Sequence, residues 1–438
     1  MIRLLYNLLF PLGFLVFLPG YLLKMRRRGG YQRHFGQRFG FYDVAVRKRL
    51  EAGARTWIYA VSVGEVAIAL KLAAKLRELD SGFACVLTTT TTTGFAFAEK
   101  EAPAWMEVLY NPLDFWPIMQ HAFAVIRPVR ILLVEAEVWP NLAAGAQARG
   151  IPLALVNARL SARSERRFLS WRRFVAPTFR CLDLVCVPEP GDAERWAAFG
   201  ISRDLIHEVG SIKYDSMETG TDTVLPRRIL GSFCIDGARP ILLAGSTHAG
   251  EEEILARAFL QLRAEFPTLV LMIAPRHVER TAEIGRHLQQ LRLQVALRSA
   301  RDSGHRAEPD CLLLDTTGEL RDWYAVATVV FIGKSLTAHG GQNPVEPILA
   351  GKPVIFGPHM ENFAVLARSL LEHDAALQVQ DAAELIDRCA ELLRDPARRS
   401  ELVQNAERVL ARHRGATART AELVLSLRSR AGHASSPK

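Results

Sequence analysis

The sequence predicts two doubly wound α/β domains, on three observations. Short apolar runs alternate with helical periods in two separate series, a polar stretch without periodicity divides the series, and 438 residues exceed what one ordinary core organises. In the first series strands are expected at 57–63, 83–90, 106–112, 130–137, 151–159 and 182–189, each followed by a helix, the pattern of a parallel sheet covered on both faces. "YDSMETGTDTVLP", from Tyr214 to Pro226, reads as the linker. The second series places strands at 240–246, 268–276, 311–318, 328–334 and 352–358. The expected divisions are 1–30, 31–220, 221–410 and a C-terminal helix and tail over 411–438. Two such domains predict a central cleft at the carboxyl ends of the strands, where doubly wound folds bind ligands.

The N-terminus departs from this rhythm. Leu4 to Leu23 is uncharged, long enough to cross a ~30 Å hydrocarbon layer as a helix, and is followed by Lys24, Arg26, Arg27 and Arg28. A positive flank after the apolar run, with no small-residue cleavage site evident, predicts a single N-terminal anchor with the C-terminal bulk of the chain in the cytoplasm. Pro11 and Pro19 weaken a spanning helix, so a helix lying in the interface is the alternative. The net charge, 55 − 46 = +9, favours anionic partners without choosing among phosphates, lipids and nucleic acid. The six cysteines form no C-x-x-C pair and no paired Cys/His pattern, so neither a disulfide framework nor a zinc site is indicated.

The chain lacks G-x-G-x-x-G, H-E-x-x-H, G-x-S-x-G and D-x-D. "FIGKS" has Thr328 where a Walker A loop starts with glycine. A metal-free group transfer is therefore expected ahead of an ATPase or a dehydrogenase. Ser62 and Glu65 have capping-box spacing on a strand-to-helix turn, where the glutamate is either a helix start or a base. Glu135 and Glu137 share a face at the end of the fourth strand, as a solvated strand end or a site. Lys213 adjoins the linker, and Arg276 closes a very apolar strand where a cation can meet a phosphate. In "GKSLTAHGGQNPVEPILAGKPVIFGP", Asn343 can cap a helix with Pro344 in its first turn and Glu346 at N3, while Gly340 and Gly341 admit a ligand close to the backbone. An ordinary capped turn and a phosphate and ribose site both satisfy that stretch.

Taken in order, "RFGFY", "VSVGE", "TTTTTTG", "EAEVWPN", "NARLS", "GSIKYD", "GSTHAGEE", "APRH", "TTGEL" and "GGQNPVEP" resemble, nearly end to end, the 3-deoxy-D-manno-octulosonic acid (Kdo) transferases that extend the lipid A precursor. The resemblance implies a two-domain GT-B glycosyltransferase with an N-terminal membrane anchor. It implies CMP-Kdo as donor, no metal or other cofactor, the lipid A precursor as acceptor, and no nucleic acid partner. It implies Glu65 as general base, Glu135 and Lys213 as transition-state stabilisers, and Pro275, Arg276, Thr317, Gly318, Glu319, Asn343, Pro344, Val345 and Glu346 as the residues that hold CMP. Two positions depart from the family pattern: Lys334 stands where a second glycine is common, and Gln342 where histidine is common. The expected reaction is inverting transfer. Its rivals are a GT-B enzyme using a UDP-sugar and a non-catalytic binder, the second disfavoured because Glu65, Glu135, Glu319 and Glu346 are all present.

Overall fold

The computed structural model describes residues 2–28, 34–51, 53–215, 223–300 and 308–427. Most of the expected linker lies outside them. The chain divides into one unit of Met1–Asp215 with His413–Lys438 and a second of Ser216–Arg412.

The first unit holds a parallel seven-stranded sheet: β1 Arg55–Tyr59, β2 Cys85–Thr89, β3 Met106–Tyr110, β4 Pro128–Val134, β5 Leu153–Val156, β6 Leu184–Val187 and β7 Ile206–Glu208, in the order β3-β2-β1-β4-β5-β6-β7. Side chains alternate between its two faces. Trp57, Tyr59, Ile131 and Leu133 enter one core, while Ile58, Ala60, Leu132 and Val134 enter the other. Strand order reverses between β1 and β4, which pair with Trp57 opposite Ile131, so the topological switch point lies at their carboxyl ends. The helix Ala416–Ser426 returns to this unit, burying Ala421 and Val424 in the core that also takes Val66, Ala69 and Leu72 of the helix Val63–Leu79.

The second unit repeats the plan with β8 Ile241–Thr247, β9 Val270–Pro275, β10 Val295–Leu297, β11 Cys311–Leu313, β12 Val329–Ile332, β13 Val354–Phe356 and β14 Leu377–Gln378, ordered β10-β11-β9-β8-β12-β13-β14. Its switch point lies between β8 and β12. All fourteen strands run parallel to their neighbours.

The uncharged N-terminal run lies within a single helix, Ile2–Arg28. No helix among the described residues is long and apolar enough to cross a membrane. One side of the helix is bound to the first unit: Asn7 accepts from the Trp116 N–H and bonds the Asn141 amide, and Phe10 stacks on Phe115 at 5.9 Å. The other side leaves Leu4, Leu8, Leu12, Leu15 and Val16 exposed.

Candidate active site

Glu65 follows β1 and Glu135 follows β4, so the switch point brings them together although 70 positions separate them in the chain. The capping box forms as its spacing predicts. Ser62 Oγ accepts from the Glu65 N–H at 3.4 Å, and the Glu65 carboxylate accepts from Ser62 Oγ at 2.8 Å and from the Val61 N–H at 2.9 Å. Glu65 is 8% exposed. Its carboxyl is pushed up to about 7, first by burial and then by the Glu135 charge, with Glu137 adding a little and the bonds from Ser62 and Val61 opposing. A helix N-terminus favours the anion, but desolvation and like charge outweigh it here.

Glu135 adopts φ 64°, left-handed backbone that an L side chain rarely takes, and its N–H bonds the Val156 carbonyl at 3.0 Å. The chain therefore turns out of the sheet directly after Val134. The Arg159 guanidinium lies 3.8 Å from the Glu135 carboxylate. Glu137 accepts from the Trp139 indole, and burial raises its carboxyl against that bond, with Glu135 raising it further.

Lys213 reaches solvent yet is walled by enough protein that its ammonium is lowered to about 8, by desolvation first and Arg159 second, with Glu135 opposing. The turn that carries it is held on several sides. Buried Asn157 accepts from the Ile212 N–H at 3.0 Å, Lys71 donates to the Ile212 carbonyl, and His413 Nδ1 accepts from the Ser211 N–H. Buried Asp215 accepts from the Gly415 and Thr417 N–H groups, so the same turn also caps the returning helix. Arg159 and Asn157 belong to "NARLS", where residue type alone does not mark either as part of a site. The signal lay in that segment's position just past β5, the neighbour of β4.

An open, largely apolar trough of about 1180 Å³ also lies in this unit, lined in part by Leu5, Leu8, Trp116, Trp171 and Phe174. Tyr6, on the same helix, adjoins buried Asp114, whose carboxylate accepts from the Asn141 and Leu142 N–H groups. Burial holds the Tyr59 hydroxyl well above its ordinary range, and the Glu137, Asp114 and Glu65 charges raise it further.

In the second unit the loops after β8, β9, β11 and β12 gather at one sheet edge, because those strands are parallel neighbours. Pro275 is the last residue of β9, and exposed Arg276 follows it, held by its N–H to the Thr247 carbonyl. Thr317 and Gly318 are exposed at the same edge, with Gly318 at φ 87°. The Glu319 side chain is taken up by Arg298 at 2.7 and 2.9 Å and by Thr316 at 3.1 Å. Asn343 accepts from the Val345 N–H and donates to Glu346, but the helix that follows Pro344 is only Val345–Leu349. Its dipole is correspondingly small, and the side-chain bonds fix this turn.

The least expected element of the second unit is Glu251, fully buried. Its carboxylate accepts from four backbone N–H groups: His248 at 2.9 Å, Lys334 at 2.8 Å, Ser335 at 2.9 Å and Leu336 at 3.0 Å. The loop after β12 is thereby moulded around one acid. A Cβ at Gly333 would run into the Ser246 carbonyl, and Lys334 sits at φ 59°. The glycine that the resemblance leads one to expect at position 334 would take that backbone without strain. Gln342 meets His248 at 3.3 Å, so the second departure is accommodated by a polar contact. Ser335 is buried and bonds the Ile332 carbonyl and the Gly357 N–H, a structural role unlike that of a Walker A serine.

Two parallel doubly wound sheets, with Glu65 and Glu135 at the first switch point and a glycine-bearing loop at the second, give the α/β architecture of the GT-B type. The fold agrees with MurG from Acinetobacter baumannii (TM-score 0.56, 14% identity, 86% of this chain and 100% of that one) and with UDP-GlcNAc 2-epimerase from Neisseria meningitidis (TM-score 0.56, 14% identity, 85% and 100%). Because one neighbour is an epimerase, fold alone does not choose the reaction. The family model "3-Deoxy-D-manno-octulosonic-acid transferase (kdotransferase)" matches residues 33–216. The chain is 35% identical over 413 residues to the 3-deoxy-D-manno-octulosonic acid transferase of Bordetella pertussis, covering 92% of this chain and 94% of that one, and 32% identical over 397 residues to that of Haemophilus influenzae, covering 90% and 91%. The chain belongs to the Kdo transferases, enzymes of lipopolysaccharide assembly.

Proposed function

We propose that the protein transfers Kdo from CMP-Kdo to a hydroxyl of the lipid A precursor by metal-independent inverting displacement, with Glu65 as general base. The observation that supports this most is Glu65 itself, buried at the first switch point beside Glu135 with a carboxyl at about 7, close to working pH, as efficient base catalysis favours. Glu65 takes the acceptor proton as that oxygen attacks the anomeric carbon of Kdo, and the bond to CMP breaks with its electron pair leaving on the phosphate. In this reading Lys213 and Arg276 offset the negative charge that develops there. Glu135, paired with Arg159, stabilises the transition state and keeps the proton affinity of Glu65 high. Pro275, Thr317, Gly318 and the Asn343–Glu346 turn shape the nucleotide pocket, and Glu319 acts through Arg298. The test is product mass from CMP-Kdo and a lipid A precursor: wild type yields the Kdo adduct and Glu65→Gln does not. Near wild-type transfer by that variant would remove Glu65 from its role.

The exposed aliphatic face Leu4, Leu8, Leu12, Leu15 and Val16, beside exposed Trp116, Trp171 and Phe174, supports a helix lying in the membrane interface at the cytoplasmic face of the inner membrane. The apolar trough would then receive the acceptor's acyl chains. Leu8→Asp with Leu12→Asp is expected to abolish co-sedimentation with anionic vesicles, and unchanged sedimentation would refute the membrane assignment. Competition by CMP but not UDP separates the CMP-Kdo reading from a UDP-sugar transferase.

A further inference from the structure

Beyond the loop built on Glu251, three side chains that the sequence keeps 20 and 2 positions apart converge at the glycine pair. His339 Nδ1 lies 3.0 Å from Glu361 Oε1, and His359 Nδ1 lies 3.5 Å from the same oxygen. The two imidazole centroids are 4.0 Å apart at 59°, and one donor atom from each residue falls within 4.8 Å of the others. Around a tetrahedral zinc ion with bonds of ~2.0–2.1 Å, ligand atoms stand roughly 3.4 Å apart, a spacing that 3.0 and 3.5 Å bracket.

The backbone already holds these ligands in place. The Gly340 N–H donates to Glu361 Oε2 at 2.6 Å, which orients the carboxylate as outer-shell partners of metal ligands do. The Asn362 N–H bonds the Gly340 carbonyl at 2.9 Å, the His359 N–H bonds the Ser335 carbonyl at 2.9 Å, and the Gly341 N–H bonds the Lys334 carbonyl at 3.0 Å. Both segments that supply ligands are therefore laced together before any ion arrives. Two imidazoles and one carboxylate, with no thiolate, suit a borderline divalent ion and leave one position for water.

We propose that His339, His359 and Glu361 bind one zinc-class divalent ion, which clamps the Gly340–Gly341 loop to the segment after β13. The ion's role is to hold that loop, and it takes no part in the displacement described above. The sequence gives little warning of it, because the H-x19-H-x-E spacing is not a standard zinc pattern.

The test is cobalt(II) and zinc titration of the full chain, compared with His339→Ala, His359→Ala and Glu361→Gln. His339 is 78% exposed at its side chain and Glu361→Gln preserves shape, so these two variants are expected to fold as wild type does. Wild type should develop the intense visible band of tetrahedral cobalt, bleached by one equivalent of zinc, and saturating zinc should raise its Tm. Each variant should bind zinc at least tenfold more weakly and lose the shift in Tm. The proposal is overturned if wild type shows no such band, if wild type and variants bind alike, or if the cobalt spectrum shows thiolate charge transfer that persists in all of them, which would point to exposed Cys234 instead.

Discussion

Both units are built on parallel seven-stranded sheets, although β11 is inserted between β10 and β9 in the second, and they surround their acids differently. In the first, buried Glu65 and half-buried Glu137 lie beside Glu135, and burial keeps both reluctant to ionise. In the second, Glu251, Glu252, Glu319 and Glu361 are all engaged by N–H, hydroxyl, guanidinium or imidazole groups. Glu361, with His339 against it, is held down at about 2. Burial raises Glu65 and Glu137, while the His339 imidazole beside Glu361 lowers that acid.

The largest effect expected from breaking this contrast is on turnover. Glu65→Gln should lower kcat by ~10²–10⁴-fold, the usual contribution of a general base. The base works only when deprotonated, so the wild-type rate should fall as pH drops through about 7, a limb that the variant should lack. A pH profile of kcat decides this.

Next comes Glu251→Ala, which leaves four backbone N–H groups around an emptied acid site. At ~1–3 kcal/mol for each donor left buried and unsatisfied, and with water reaching some of them, a loss on the order of 4 kcal/mol is expected in urea unfolding. If the variant is as stable as wild type, the loop does not depend on the acid.

A smaller effect separates function from stability at Glu65. The folded carboxyl titrates near 7 against an ordinary 4.5, so the native state gains from the bound proton. That contribution is complete below about 4.5 and is lost as pH rises through about 7. Glu65→Gln, which has nothing to ionise, should melt above wild type at pH 8, by on the order of 2 kcal/mol, and match it near pH 4.5. Thermal melts at the two pH values test the sign.

The smallest expected effect is at Lys334→Gly, which removes the left-handed strain and should stabilise the protein by roughly 0.5–1 kcal/mol after glycine's own entropy cost. No gain in a urea titration would mean that the lysine side chain offsets its backbone.

Much of the fold was legible because buried parallel strands read as apolar runs. All eleven strands expected within the two series are present, but β1, β4 and β5 end at Tyr59, Val134 and Val156, short of the predicted 63, 137 and 159. The overshoot has a cause: Ala60 and Ala158 stay buried after the ladder ends, so the apolar run outlasts the strand. The residues in that gap, Glu135 and Arg159 among them, build the site. Edge strands β10 and β14, three and two residues long, are too short for any periodicity to reveal. Glu65 was legible through its capping box. Glu251 was not, because three of its four partners lie 83 to 85 positions further along the chain and the β8–β12 pairing brings them to it.

The returning helix Ala416–Ser426 has a consequence for how the molecule is made. The second unit is continuous in the chain, whereas the core beneath Glu65 needs Ala421 and Val424, which the ribosome supplies only after residue 412. During synthesis the second unit can finish first, while the first waits for its last helix. Glu65 therefore gains its finished surroundings only once residues beyond 412 have been translated.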